Sequence, residues 1–351
     1  MSERDKMGGF LDLYREYNDE GARIKAGEAR HEHKGAIERH EAGYMTRDEL
    51  AEDWGRIFDE YVATKPADRR AGALLAHFCG ARARPLYIFG LREAFMAWDM
   101  RHLLNVIHQS SRCMSAGKRA LGSGCDHSAN FMRAALAFAA NDAALAKALL
   151  PRELGPAKNG HPACKAGANL MMSLMHGDGA MLETSREAAV RWMSAKRPVF
   201  EKSMVGFLLA LCANDMPGAS ECLKRLCEGT RKIADPAEMS RLEKCFCGYA
   251  HGLYNFAGAV LPAADFGRIE PPDDKGFIKE FARWNVENGF PGGDLYFAMP
   301  GRLASLDAIA RADPPAEKLR KASGAGAKFD TDHRAFSDEL TARAGLSGGN
   351  A

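Results

Sequence analysis

Histidine and carboxylate side chains gather most densely between residues 31 and 41, where His31, His33 and His40 fall with Glu32, Glu38 and Glu41. Such a mixture could bind a metal or move a proton near neutral pH. A helix presents two metal ligands on one face when they stand four residues apart, as in HExxH. Here the histidines are two, seven and nine positions apart, and no second cluster supplies more ligands. The stretch therefore reads as a polar helix face. His161-Pro-Ala-Cys164 has the outline of a zinc-deaminase signature without its general-base glutamate and its following CxxC. Gly122-Ser-Gly-Cys-Asp-His127 precedes a helix and could offer N–H groups to an anion. No strand leads into it and GxxxxGK[ST] is missing, so it reads as an interhelical loop. Cys125 and His127, two apart at a helix start, point away from each other and form no nucleophile pair. Cys245 and Cys247 form CxC with no second pair at a zinc spacing. The methionines Met171, Met172, Met175, Met181 and Met193 stand at helical spacing and read as core filler. The chain has no GxSxG elbow and no aromatic-basic ladder for single-stranded nucleic acid. The sequence points away from catalysis, and no cofactor or metal is expected.

The elements that carry these residues read as helices almost throughout. A charged helical segment runs from about Asp5 to Tyr44, with an apolar stripe from Phe10 to Tyr17 that nearly vanishes after Ala26. That later part is an exposed helix or a poorly packed one. Thr46-Arg-Asp-Glu49 is a capping box opening a helix with Leu50, Trp54, Ile57, Phe58 and Tyr61 on one face. Helices over about 68–83 and 86–113 follow.

The centre carries a repeated pattern. Apolar helical runs lead into Asn141-Asp142, Gly177-Asp178 and Asn214-Asp215, and further apolar runs lead away. The aspartates are 36 and 37 residues apart (178 − 142 and 215 − 178). Asn and Gly tolerate the left-handed conformation that closes a helix, and Asp caps the next one. Helix, tight turn, helix at this period predicts an α-solenoid-like stack of helical hairpins. A fourth unit is expected to begin at Ser240, with Leu242, Cys245, Phe246, Tyr249 and Leu253 on its first helix. The fold class is all-α. Its expected organisation is an N-terminal helical region (1–120), the hairpin core (121–258), an irregular Pro/Gly-interrupted helical region (259–313), and a linker and tail (314–351).

Of the residues, 46% are apolar and 27% charged, the balance of a globular chain with ample core material. The net charge of +2 gives no reason to expect nucleic acid or an anionic membrane as a direct partner. Charge is uneven, however. Residues 71–258 hold 23 Lys and Arg against 15 Asp and Glu, whereas 259–300 hold 4 against 7. The acid of that later segment comprises Asp265, Glu270, Asp273, Asp274 and Glu280 beside Glu287 and Asp294. Nine cysteines without paired, loop-rich spacing fit a reducing compartment. The charged opening MSERDKMGG reads as no signal peptide, and no apolar run approaches the ~20 residues of a membrane span. A cytoplasmic protein is expected.

Phe131-Met-Arg-Ala-Ala-Leu-Ala-Phe-Ala-Ala-Asn-Asp142, the recurring small-residue helix before an Asn-Asp turn, and the aromatic run Tyr249-Ala-His-Gly-Leu-Tyr-Asn-Phe256 resemble the helical immunity proteins of bacterial polymorphic toxin systems, particularly the immunity protein 49 family. The resemblance covers a little over a third of the chain. It implies an antitoxin without catalytic residues, which binds one cognate toxin encoded nearby and blocks its active site. That toxin is often a nuclease delivered by contact-dependent secretion, type VI secretion included. On that reading Asp265, Glu270, Asp273, Asp274 and Glu280 become the candidate contact surface, because acid would steer toward the basic cleft of a nuclease. The alternatives are a solvated acidic loop and, for the whole chain, a helical-repeat scaffold or regulator that binds a host protein, with an enzyme of unfamiliar type third.

Overall fold

Ser2 starts the first helix by a reciprocal pair of bonds: its hydroxyl accepts from the Asp5 N–H (3.1 Å), and the Asp5 carboxylate accepts from the Ser2 N–H (2.9 Å). The computed structural model describes residues 2–122, 124–235, 238–321 and 329–346. Helix α1 (Glu3–Lys25) buries Met7 and, from the predicted stripe, Phe10, Tyr14 and Tyr17. The helix expected to run to Tyr44 instead breaks at residues 26–35, where Gly27 and Gly35 take φ of +76°. It resumes as the short α2 (Ala36–Glu41), whose Glu38, Arg39 and Glu41 are buried. This charged stretch is thus not one helix: residues 26–34 are a mostly exposed loop, and the short helix after it buries Glu38, Arg39 and Glu41. Arg39 folds back to donate to the carbonyls of Lys34 (2.8 Å) and Glu32, which stops the loop from winding into helix.

The Thr46 capping box forms as predicted and opens α3 (Arg47–Ile57). α3 and α4 (Ala67–Leu74) each continue into a π-helical turn, over Phe58–Val62 and Leu75–Ala81. The helix expected over 86–113 is two, α5 (Ala83–Ala97) and α6 (Met100–Leu121). Trp98 takes a left-handed φ of 55°, and the Asp99 carboxylate then accepts from the N–H groups of Arg101 and His102 (2.9 and 3.0 Å). This is the same left-handed residue plus Asp device as in the repeats, with Trp where Asn or Gly stands elsewhere.

The hairpins follow as α7 (Phe131–Ala139) with α8 (Ala143–Leu149), α9 (Pro162–His176) with α10 (Gly179–Met193), and α11 (Val199–Cys212) with α12 (Met216–Arg231). Asn141, Gly177 and Asn214 have φ of 55°, 63° and 54°. Each following aspartate caps its helix, accepting from Leu145, Met181 and Gly218 at 2.9, 3.0 and 2.9 Å. The fourth unit does not start at Ser240. Residues 240–245 form a turn and a short 3-10 segment, and α13 begins at Gly248 and runs to Val260. Rather than adding to the end of a row, α13 packs back on α7, so closely that a Cβ at Gly252 would run into the Ala135 carbonyl. The period therefore describes the hairpins, while α13 folds back over the first of them.

Short helices α14 (Ala263–Phe266), α15 (Lys279–Glu287) and α16 (Ala304–Arg311) follow, then a pair of two-residue strands, β1 (Leu319–Arg320) and β2 (Asp330–Thr331), and α17 (His333–Arg343). Helix makes up 69% of the structure, and this antiparallel pair is the one sheet among the described residues. The fold is all-α. No described helix is long and apolar enough to cross a membrane.

Two apolar clusters hold these elements. One joins α1, α3, α5 and α6 to Tyr296, Met299, Leu306, Ile309, Phe336 and Leu340. The other joins the hairpins and α13 to Phe266, Ile269, Phe277 and Ala282. Residues 259–313 are therefore shared between the two clusters rather than standing as a region of their own. The described part of 314–351 is likewise no linker. Glu317 is buried, its N–H donates to the Ala148 carbonyl (2.7 Å), and α17 packs on α6. Of that expected linker and tail, residues 322–328 and 347–351 lie outside the described residues.

Candidate functional site

The five acidic candidates lie along one segment, but most of their carboxylates are already engaged. Asp274 is held by both guanidinium nitrogens of Arg231 and accepts from the Gly276 N–H (2.8 Å). Asp273 stands 3.0 Å from the Lys6 ammonium and 3.6 Å from that of Lys279, and these cations hold it below the usual carboxylate range. Asp265 pairs with Arg268 at 3.3 Å. Glu280 accepts from the Trp98 indole N–H (2.9 Å). Only Glu270 is exposed with no ion pair among the described residues. Lys6 and Arg231 come from α1 and α12, so cations from distant segments are interleaved through the acidic run. It is a charge-balanced strip, not an acidic face.

The residues with catalytic or metal-binding chemistry are likewise dispersed. His31 and His33 sit on the 26–35 loop, and no described group of three or more His, Cys, Asp or Glu side chains could share a metal ion. His40 borders a polar cleft with Tyr44, Asp53 and Arg82, and burial and the nearby Arg82 lower its pKa. In that cleft the Tyr44 hydroxyl donates to Asp53 (2.7 Å) and accepts from Arg82 (3.0 Å). The loop before α7, of which Ser123 lies outside the described residues, is fastened by Asp126, whose carboxylate accepts from the N–H groups of Ser128, Lys158 and Asn159 at 3.0, 2.6 and 2.9 Å. His127 Nε2 lies 3.1 Å from the Gly155 carbonyl. The Tyr44–Asp53–Arg82 set and the Asp126 carboxylate are committed to holding the chain.

An apolar groove of about 580 Å³ offers space for side chains of a partner. The first turns of α7, α9, α11 and α13 meet there with the end of α12, so the groove is a product of the hairpin arrangement. Phe131, Met132, Val199, Phe200, Met204 and Tyr249 supply most of its apolar wall. Phe200 and Tyr249 meet edge to face with centroids 5.7 Å apart. Val199 remains 42% exposed, apolar surface left facing solvent. At the rim His161 Nε2 stands 3.8 Å from Glu201 Oε1, and Lys232 and Glu238 add charge. Cys164 also lines the wall; burial pushes its thiol up to about 11, so it is a neutral, unreactive thiol near neutral pH. The His161–Cys164 stretch thus contributes groove wall, and the surface can take apolar side chains with a polar fringe.

Sequence reasoning missed two buried polar centres. Glu41 receives the Ser240 hydroxyl and lies 3.2 Å from Arg84, which also binds Glu243. Burial, then the neighbouring Glu243, push Glu41 up to about 8. This network ties the 240–245 turn to α2 and keeps it from forming helix. His251 is stacked between Phe277 and Phe246, with centroids 3.9 and 5.0 Å away, and its Nε2 accepts from the Ile278 N–H (3.1 Å). Burial lowers its pKa to about 3, so it is a neutral core aromatic near neutral pH. Only its position inside Tyr249–Phe256 hinted at this. Comparison with family models, with curated proteins and with solved structures returned no match.

Proposed function

We propose that this chain is an antitoxin of the immunity type: a cytoplasmic binding protein that captures one cognate toxin encoded nearby, with a nuclease effector as the favoured class, and occludes its active site without chemistry of its own. The observation that carries the reading is the groove. Its walls include Phe131 and Tyr249, which belong to the two stretches that resemble the immunity protein 49 family. Those stretches form α7 and α13, packed face to face across Gly252. A concave apolar surface with a charged fringe suits the anchoring side chain of a protein partner.

The ion-paired state of Asp273 and Asp274 shifts the proposed contact from the acidic strip toward this groove, with Glu270 and Glu280 the strip carboxylates that have no ion pair among the described residues. The test is co-purification of the product of the neighbouring gene with the wild type and with Val199→Asp/Lys232→Glu. Both changed residues are at the groove rim, so the variant should keep its helix content while losing the partner. Unchanged capture by the variant would move the interface elsewhere. The scaffold reading uses the same groove and differs in its partner: capture of a host protein, with no protection against any toxin, would favour it.

A further inference from the structure

A second cavity, of about 480 Å³, opens between α1 and the 241–245 and 275–276 segments. Lys6, Arg231, Arg241, Lys244 and Lys275 converge on it, and Asp5 is its one lining carboxylate. Asp5 accepts from the Ser2 N–H, a neutral donor that leaves its charge in place, so it offsets one of these cations. Lys6 and Arg231 are paired to Asp273 and Asp274, which cancel much of their charge, so the site rests on the other three cations. Arg241 donates to the Tyr17 hydroxyl (2.8 Å), a neutral partner that fixes the guanidinium without cancelling its charge. Lys244 and Lys275 have no carboxylate within ion-pairing distance among the described residues.

Gly9 lines the same cavity from the interior of α1, with open space where a Cβ would stand. Glycine inside a helix costs roughly 0.5–1 kcal/mol against alanine. No close packing demands it here, and what its missing side chain leaves open is the cavity. Cys245 and the buried Phe10 supply apolar wall.

We propose that this cavity binds a small polyanion bearing two or more phosphate groups, of nucleotide size. Cations brought together from separated segments suit a ligand whose charge is concentrated and spread over more than one group. Arg241 supplies a planar fork matched to phosphate oxygens and Lys244 and Lys275 supply mobile point charges, while Arg231 stays held by Asp274. The volume is within the range of small-ligand sites and exceeds what one phosphate needs. The inference does not depend on the antitoxin reading, and its failure leaves the partner experiment untouched.

The test is titration calorimetry of the full chain with inorganic tripolyphosphate, with ATP and citrate as parallel arms and short polyaspartate as the polypeptide control. Tripolyphosphate and ATP should bind at one site and weaken as salt rises. Lys244→Glu/Lys275→Glu should weaken binding by at least about tenfold, a change easily resolved in Kd. Gly9→Leu fills the cavity without changing charge, and should weaken binding comparably with helix content and melting temperature retained. Tripolyphosphate should also slow alkylation of Cys245, read by peptide mass spectrometry. No tripolyphosphate binding at low salt overturns the proposal. So does unchanged affinity in Gly9→Leu, which would mean surface charge alone holds the anion. Preference for citrate makes the ligand a polycarboxylate, preference for polyaspartate makes it an acidic polypeptide, and either result overturns the phosphate assignment.

Discussion

Arg119 Nε lies 2.8 Å from Glu317 Oε2, and the two side chains are 2% and 0% exposed. Arg119 also donates to the Pro315 carbonyl (2.8 Å) and lies over the Phe336 ring, 4.0 Å from its centroid. Asn130 donates to the same carboxylate (2.8 Å). One buried arginine on α6 thus holds both the 314–321 segment and α17. Removing one partner of a buried pair strands the other charge and costs about 3–5 kcal/mol. Glu317→Ala should therefore lower the unfolding free energy by roughly that amount in urea titration. Arg119→Met/Glu317→Leu should cost less than either single change, because no buried charge is left unpaired. Equal losses in the single and double variants would remove this pair as the anchor.

The repeat-turn aspartates should not be equivalent. Asp215 is exposed and acts only as a cap, so Asp215→Ala should cost about 1 kcal/mol with little change in helix content. Asp142 caps α8 and also accepts from the Arg112 guanidinium at 2.6 Å, with its side chain 4% exposed. Asp142→Ala loses the cap and leaves Arg112 half-buried without its carboxylate, so a cost of roughly 3 kcal/mol is expected. Thermal melts of the two variants, measured together, check the ordering.

These turns were legible because their physics is local: Asn or Gly for the left-handed residue, then Asp for the cap. Trp98-Asp99 does the same job and went unread, because nothing local marks tryptophan as a left-handed residue; its indole is held by Glu280, 182 positions away. The segment after Pro314 reads as a linker by composition, and only Arg119 on α6 reveals it as packed structure. The charge balance of the acidic strip was hidden for the same reason. Asp273 and Asp274 are adjacent in sequence, but the cations that neutralise them come from Lys6 and Arg231. The groove was not legible as a site either, although Phe131 and Tyr249 were singled out, because its wall is assembled from five separated helix ends.

His251 and Glu41 make opposite contributions to pH dependence. For His251 the folded pKa is depressed from 6.5 to about 3, so the unfolded chain binds the proton first as pH falls. Its stabilisation is full above pH 6.5 and is lost on going down toward pH 3, with a slope approaching ~1.4 kcal/mol per pH unit. The lowered pKa values of His40, His102, His108 and His127 act in the same direction. For Glu41 the folded pKa is raised from 4.5 to about 8, so its contribution is full below 4.5 and is lost as pH rises toward 8. Urea titrations across pH should therefore find a shallower acid limb in His251→Gln, and less loss above pH 6.5 in Glu41→Gln. Parallel curves for wild type and His251→Gln between pH 3 and 6.5 would contradict the assignment of that limb.

The central claim is that this chain neutralises a toxin by binding it. The most direct measurement is survival of cells expressing the product of the neighbouring toxin gene, with and without this chain, paired with size-exclusion chromatography of the two purified proteins. The account predicts full protection by the wild type, a stoichiometric complex that excludes the toxin's substrate, and recovery of toxin unmodified in mass and active once the complex is dissociated. Loss of protection in Val199→Asp/Lys232→Glu at unchanged folding would localise the effect to the groove. Absence of both binding and protection against every adjacent gene product would contradict the antitoxin reading, and release of covalently altered toxin would contradict occlusion.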